Sequence, residues 1–349
     1  MLAATALASL TGCQIGYLAK SAYWQTDLLR RRVPVGEAMK DPQLGDDQKK
    51  KLQLAQEARA FAESDLGLKT TENYTSYVQL ARPYVTYLVS AAHKAELKPY
   101  KWWFPLIGSV PYKGFFDPED AKAEAEALKA RGYDTYIRGV SAYSTLGWFN
   151  DPLLSSMLAY KEFDLVNTVI HETVHATIYI KSEADFNERM AVFFGNKGTL
   201  AFYKKREGES SHTLQTMADD AHDERLFSTF ISDELKSIEQ WYKDRAGQPL
   251  TDEARQARLK EIQTRFASEL RPKLKLKDSY KGFETIELNN ARLIHYRLYL
   301  ENLDDFEAVF QKLGGDFHKM LEFCKSLEEA EDPKAALKAA AEGQGAQDL

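Results

Sequence analysis

The sequence predicts an α+β protein, a mainly helical body preceded by a small β-sheet. Three observations carry this. From Leu200 almost to the end, apolar residues recur at helical spacing. Between Tyr74 and Val140, β-branched and aromatic residues are dense and in places alternate as strands do. Proline and glycine divide the two patterns into short elements.

In chain order, Gly16 to Glu63 reads as helix, with Leu52, Ala55, Ala58 and Ala62 on one face and breaks at Pro34, Gly36 and Pro42. Tyr74 to Trp103 carries Val78, Val85, Thr86 and Val89, so strands are expected there without clear ends. Phe104 to Phe116 is rich in Pro, Gly and aromatics and reads as a loop or broken strand. Asp117-Pro118 opens a helix to about Arg131, closed by Gly132. Tyr133 to Val140 alternates as a strand, and Ser141 to Pro152 leads on to the next helix. Later helices are expected over Ser211–Tyr242, Thr251–Leu270 and Asn290–Leu313. The expected organisation is a leader over 1–13 and one domain over 14–327. That domain divides into an early part at about 14–160 and a helical part at about 161–327, and residues 328–349 are expected to form a flexible tail.

Composition narrows the function classes. With 46 basic and 52 acidic residues, the net charge of -6 gives no electrostatic reason to expect nucleic acid as a partner. Two cysteines, Cys13 and Cys324, exclude a Cys-rich metal site, so any bound metal must use His and carboxylates. Residues Leu2 to Leu10 are small and apolar, too short a run to span a bilayer, and end in Leu10-Thr11-Gly12-Cys13. That ending resembles a bacterial lipobox. The expectation is a lipid anchor on Cys13, with Gln14 directing it to the outer membrane by resemblance to the bacterial sorting rule. No Lys or Arg precedes the apolar run, so either translation starts further upstream or the segment is a buried helix.

The strongest signal is His171-Glu172-Thr173-Val174-His175. On a helix, residues four apart share a face, so two imidazoles reach one zinc ion at about 2.0–2.1 Å each. Glu172, one position round, is then set to activate water at the open coordination position. Asp164 reads as the N-cap of this helix, and Leu165 to Ile180 follow without Gly or Pro. Val166, Val169, Ile170, Val174 and Ile178 make the helix apolar round most of its circumference. A lone carboxylate there is costly to bury unless an ion compensates it. A catalytic zinc takes three protein ligands, and the third candidate is Glu188, separated from His175 by twelve intervening residues. Lys181 to Ala184 would form a turn and Ser182 would cap a second helix folding back on the first, with Glu183 and Asp185 as competing ligands.

HExxH followed by a glutamate on the next helix is the gluzincin arrangement. The chain resembles a family of bacterial predicted aminopeptidases, predicted lipoproteins of Gram-negative bacteria. The blocks that carry the resemblance are VPYKGFFDP (Val110 to Pro118), IRGVSAYSTLGWFNDPLL (Ile137 to Leu154), HETVHATIY (His171 to Tyr179), FNERMAVFFGNKG (Phe186 to Gly198) and NNARL (Asn289 to Leu293). They occur in order over most of the chain.

The resemblance implies a zincin-like fold whose edge strand lies over the HExxH helix, and hydrolysis of a peptide substrate in the periplasm. It implies that the strand Tyr133 to Val140, with its extension Ala142, Tyr143, Ser144 and Thr145, binds substrate backbone by strand addition. It also implies a donor to the oxyanion, for which Tyr299 is the first candidate and Tyr296 and His295 compete. Two departures bear on specificity. No acidic residue between Arg138 and Phe149 is available to hold a free amine, which leaves an endopeptidase or a cell-wall amidase as alternatives to an aminopeptidase. Ala191 and Val192 stand where some gluzincins carry a carboxylate that orients a ligand. A non-catalytic, lipid-tethered zinc-binding scaffold is the reading outside enzymes.

Overall fold

A computed structural model describes residues 2–104, 108–142, 145, 149–297 and 303–343. Within it the chain is mixed α+β. A long helix α1 (Leu2–Arg30) leads to β1 (Val33–Pro34), the short α2 (Val35–Ala38) and α3 (Asp46–Ser64). Strands β2 (Ser76–Val78), β3 (Thr86–His93), β4 (Trp102–Phe104), β5 (Gly108–Val110) and β6 (Tyr112–Phe115) precede α4 (Pro118–Ala130) and β7 (Tyr133–Val140). After β8 (Leu153–Leu154) the chain is helical: α5 (Glu162–Thr177), α6 (Ala184–Glu207), α7 (His212–Lys243), α8 (Asp252–Arg265), α9 (Asn290–Arg297), α10 (Asp304–Lys312), α11 (Phe317–Ser326) and α12 (Pro333–Glu342). Among the described residues no helix is long and apolar enough to cross a membrane.

The strands form three small sheets rather than one, ordered β1-β2-β8, β6-β3-β7 and β4-β5. In the second sheet β3 is central and antiparallel to both neighbours, with Leu88 opposite Gly114 on β6 and Arg138 on β7. Strands β6 and β7 are therefore its edges. Helix α4 covers this sheet through Ala121, Ala125 and Leu128, against Val89, Ala91 and Phe115.

Local signals explain several element ends. Asp117 accepts from the Glu119 amide at 2.9 Å, Pro118 occupies the first helical turn, and Gly132 takes the left-handed φ of 85° after α4. Ser211 caps α7 and Thr251 caps α8 in the same way. The helix expected over Thr251–Leu270 is α8 continued by a π-helical turn at Phe266–Leu270.

Other expectations are corrected. Helix α5 begins at Glu162, with Lys161 at its cap position, so Asp164 lies inside the first turn instead of capping it. Its end is Thr177, because Ile178 is already extended. The segment expected to be one helix over Asn290–Leu313 contains α9 and α10, and residues 298–302 between them lie outside the described ones. The tail expected to be flexible from 328 instead folds through α12. Asp332 accepts from the amides of Lys334 and Ala335, both at 3.0 Å, and Leu337 is buried. Lys312 Nζ donates to the last carbonyls of α12, Ala340 O at 2.8 Å and Ala341 O at 2.7 Å.

Helices α5 and α6 form a hairpin packed on α3. Leu165, Val166, Val169, Ile170 and Val174 are all fully buried. Glycines allow the two helices to approach. A Cβ at Gly198 would come within 2.7 Å of the Leu66 side chain and 3.2 Å of Ile170, and one at Gly195 within 3.0 Å of Asn167. Behind α6, Phe193 stacks on Phe306 of α10, and Phe194 meets Phe317 of α11. This packing fixes the face that the hairpin turns away from the core.

Candidate metal centre

The centre lies near the turn of the α5–α6 hairpin. Two side chains come from the last two turns of α5 and one from the second turn of α6. His171 Nε2 and His175 Nε2 are 3.2 Å apart. Glu188 Oε2 lies 3.5 Å from His171 Nε2, and Glu188 Oε1 lies 3.4 Å from His175 Nε2. Bonds of about 2.0–2.1 Å at tetrahedral angles place neighbouring donor atoms about 3.3–3.4 Å apart. The triangle of nitrogen and oxygen atoms therefore has the dimensions of one face of a tetrahedral zinc site. The donor set, two imidazoles and a carboxylate, fits the same ion. The carbonyl end of α5 adds partial negative charge that favours a cation there.

The turn is built to bring Glu188 round. Ser182 adopts a left-handed φ of 67°, and Glu183 occupies the helix cap position, so Ser182 is not the cap. Fully buried Asn187 holds the turn: its Oδ1 accepts from the Ile180 amide at 2.9 Å and its Nδ2 donates to the Ile180 carbonyl at 2.7 Å. That two-point bond sets the direction of α6 one residue before the candidate ligand. Glu183, a competing ligand, is held by Lys334 of α12 at 3.1 Å. Asp185 is exposed and falls outside the convergent triad.

Electrostatics separate the two glutamates. Burial alone would raise the Glu188 carboxyl, but its bonds to both histidines and their charges hold it well below the ordinary range. Glu172 is raised, first by burial, against the lowering effect of the histidines. Its Oε2 is sealed from solvent and has no hydrogen-bond partner within the protein, and the same holds for His175 Nδ1.

Three tyrosines lie within electrostatic reach of the two glutamates. Tyr160 and Tyr74 both feel the charge of Glu172. Tyr112 of β6, half-exposed, feels the charges of Glu188 and Arg138 and the neighbouring Tyr179. None of these tyrosines was singled out by motif reasoning, because nothing in a five-residue pattern identifies partners drawn from the turn before β2, from β6 or from the loop before α5.

The expected substrate strand is only partly present. β7 is an edge strand, but its Thr135 carbonyl accepts from Asn289 Nδ2 at 3.0 Å, which covers one end of that edge. The strand stops at Val140, and Ser141 turns its carbonyl to Ser156 Oγ at 2.6 Å. Ala142 packs against the main core. Thr145 is not extended strand: Asp151 accepts from its amide and from its hydroxyl, both at 2.8 Å. Tyr143 and Ser144 lie outside the described residues, as does Tyr299. Of the competitors for the oxyanion role, Tyr296 packs its ring against Phe227 and Phe283. His295 is held down at about 4 by burial and then by Arg138 and Arg292, so at neutral pH it is an uncharged imidazole.

Fold and site together define an α+β protein whose helical hairpin carries a His-His-Glu cluster of metal-binding dimensions. The sequence profile of the putative aminopeptidase family matches residues 16–338, and the chain belongs to that family. No curated protein matches the chain, and no solved structure does.

Proposed function

We propose that the chain is a gluzincin-type zinc peptidase, with His171, His175 and Glu188 holding one zinc ion and Glu172 as general base. The observation that carries this reading is the triangle of donor atoms with edges of 3.2, 3.5 and 3.4 Å beside a sealed carboxylate. Zinc, when bound, supplies a Lewis acid and lowers the pKa of water towards about 7. The buried Glu172 carboxylate takes the proton of the attacking water and returns it to the leaving amine. The electrostatic influence of Glu172 on Tyr160 and of Glu188 on Tyr112 supports one of these two as donor to the developing oxyanion, the role first sought at Tyr299.

Family membership favours an aminopeptidase. The absence of an acidic residue between Arg138 and Phe149 favours the second reading, cleavage within a peptide or of a cell-wall amide. Blocking the N-terminus of a cleaved peptide separates the two: lost cleavage supports the aminopeptidase, retained cleavage the endopeptidase.

Elemental analysis tests the metal site. One zinc per wild-type chain is expected, and a large loss in both His171→Ala and Glu188→Ala. A zinc-loaded preparation of wild type that retains none removes the basis of the proposal.

The Leu10-Thr11-Gly12-Cys13 ending supports a lipid-anchored protein on the periplasmic face of the outer membrane. Labelled palmitate is expected to enter the wild type in bacteria and not Cys13→Ala; equal labelling of the two would refute the anchor.

A further inference from the structure

The face of the β6-β3-β7 sheet that turns away from α4 carries an arginine without a counter-charge. Val89 and Ala91 of β3 pack towards α4, so Leu88 and Ser90 point the other way. Ser90 lies opposite both Tyr112 of β6 and Tyr136 of β7, and Leu88 lies opposite Gly114 and Arg138. Directly opposed residues share a face, so these six form two rows on one side of the sheet. Helix α9 lays two side chains against that side at Tyr136. Arg292 Cζ is 4.5 Å from the centre of the Tyr136 ring, and the His295 ring is 5.4 Å from it, centre to centre.

Among the described residues the Arg292 side chain has no hydrogen-bond acceptor and no ion-pair partner. The residue is half-buried, and its Nε is sealed from solvent. A cation that loses hydration without gaining a counter-charge destabilises the fold, and the ring beneath it replaces only part of the loss. Asp134 is the one acidic residue in β3, β6, β7 and α9, and it is spent on Arg255. The face therefore carries the guanidiniums of Arg138 and Arg292 with no free carboxylate from the elements that build it. Burial and these two charges hold His295 uncharged between them.

A guanidinium lying over an aromatic ring keeps its N–H edge for a planar acceptor, and a carboxylate matches that fork with two parallel bonds. We propose that this face is a carboxylate-binding site, in which Arg292 on its Tyr136 platform recognises the carboxylate of a peptide. A positive group suits the carboxyl end of a peptide, whereas an amine end needs the acidic residue that Arg138 to Phe149 lacks. That the peptide is the substrate of the metal centre rests on the peptidase reading; the carboxylate site does not. Tyr112 stands at the other end of the row through Ser90, two strand spacings or about 10 Å from Tyr136. It is also within electrostatic reach of Glu188.

Full-length, zinc-loaded protein is given peptides that differ in one charge: a free or an amidated C-terminus, and, in amidated peptides, an internal Glu or Gln. Wild type is expected to prefer the carboxylate in kcat/KM by about 10- to 100-fold, the worth of a charge-assisted bond, with the difference mainly in KM. Preference in the first pair assigns the site to the chain end, and in the second to a side chain; none in either overturns the proposal. Arg292→Gln is expected to bring the ratio close to one at unchanged zinc content, and a ratio as large as in wild type overturns the proposal. Should that variant melt well below wild type, Arg292→Lys decides in its place, because it keeps the charge without the fork. A reduced ratio there supports Arg292, and an unreduced one overturns it. A zinc-loaded wild type that cleaves no peptide sinks the peptidase reading instead. Dissociation constants of the same peptides, read by calorimetry in wild type and Arg292→Gln, then decide the carboxylate site alone.

Discussion

Glu172→Gln is expected to bind zinc as wild type does and to lose hydrolysis by a factor of about 10³, within the usual 10²–10⁴ for a general base. The substitution keeps the shape of the side chain and one carbonyl oxygen, so the apolar face of α5 and the positions of His171 and His175 are undisturbed. What disappears is the capacity to accept a proton. Because the group acts on the attacking water and not on substrate binding, the loss is expected in kcat with KM little changed. Steady-state kinetics beside metal analysis check both halves. A Gln variant with full turnover would remove Glu172 from the mechanism; one that loses zinc would show that Glu172 supports the ligands rather than the chemistry.

Arg255→Met is expected to destabilise the fold by about 3–5 kcal/mol, the usual cost of stripping the partner from a buried ion pair. Arg255 and Asp134 are 4 % and 7 % exposed. Two guanidinium nitrogens meet the two carboxylate oxygens at 2.7 and 3.0 Å. Asp134 Oδ2 also accepts from the Asn290 amide at 2.9 Å. Asn290 in turn donates to the His93 carbonyl at 2.8 Å and accepts from Tyr242 Oη at 2.9 Å. The pair therefore joins β7, β3, α7, α8 and α9 at one point. Methionine fills the volume and leaves the Asp134 carboxylate in a dry interior with only the Asn290 amide. Urea denaturation should show a lower midpoint with an unchanged slope, and adding Asp134→Leu should recover part of the loss. A loss below about 1 kcal/mol would mean that water reaches the carboxylate.

The elements read correctly from the sequence are those whose ends are set by neighbours in the chain. Helix α4 has its cap at Asp117, its proline at Pro118 and its left-handed glycine at Gly132, all within one short stretch. Strand β7 shows its alternation over Tyr133–Val140 and ends there. The early strands were not separable, because their pairing depends on distant partners such as Leu153 opposite Tyr77. The end of α5 was placed too late, since apolar Ile178 and Ile180 continue the pattern while their backbone already serves the turn. The tail was expected to fray because its alanines and glutamates say nothing of the surface that α10 offers to Leu337.

The sequence by itself determined that two histidines and a glutamate lie on one helix, and that a second helix follows soon after. Helical geometry makes residues four apart neighbours whatever the rest of the chain does. Only the tertiary structure decided that Glu188, and not Glu183 or Asp185, closes the triangle. That choice depends on Asn187 clasping Ile180, on a left-handed Ser182 and on Lys334 drawing Glu183 away. It also decided the burial of Glu172, whose Oε2 is sealed from solvent. Such contacts join residues far apart in the chain, and they form because burial leaves polar groups no partner except one another.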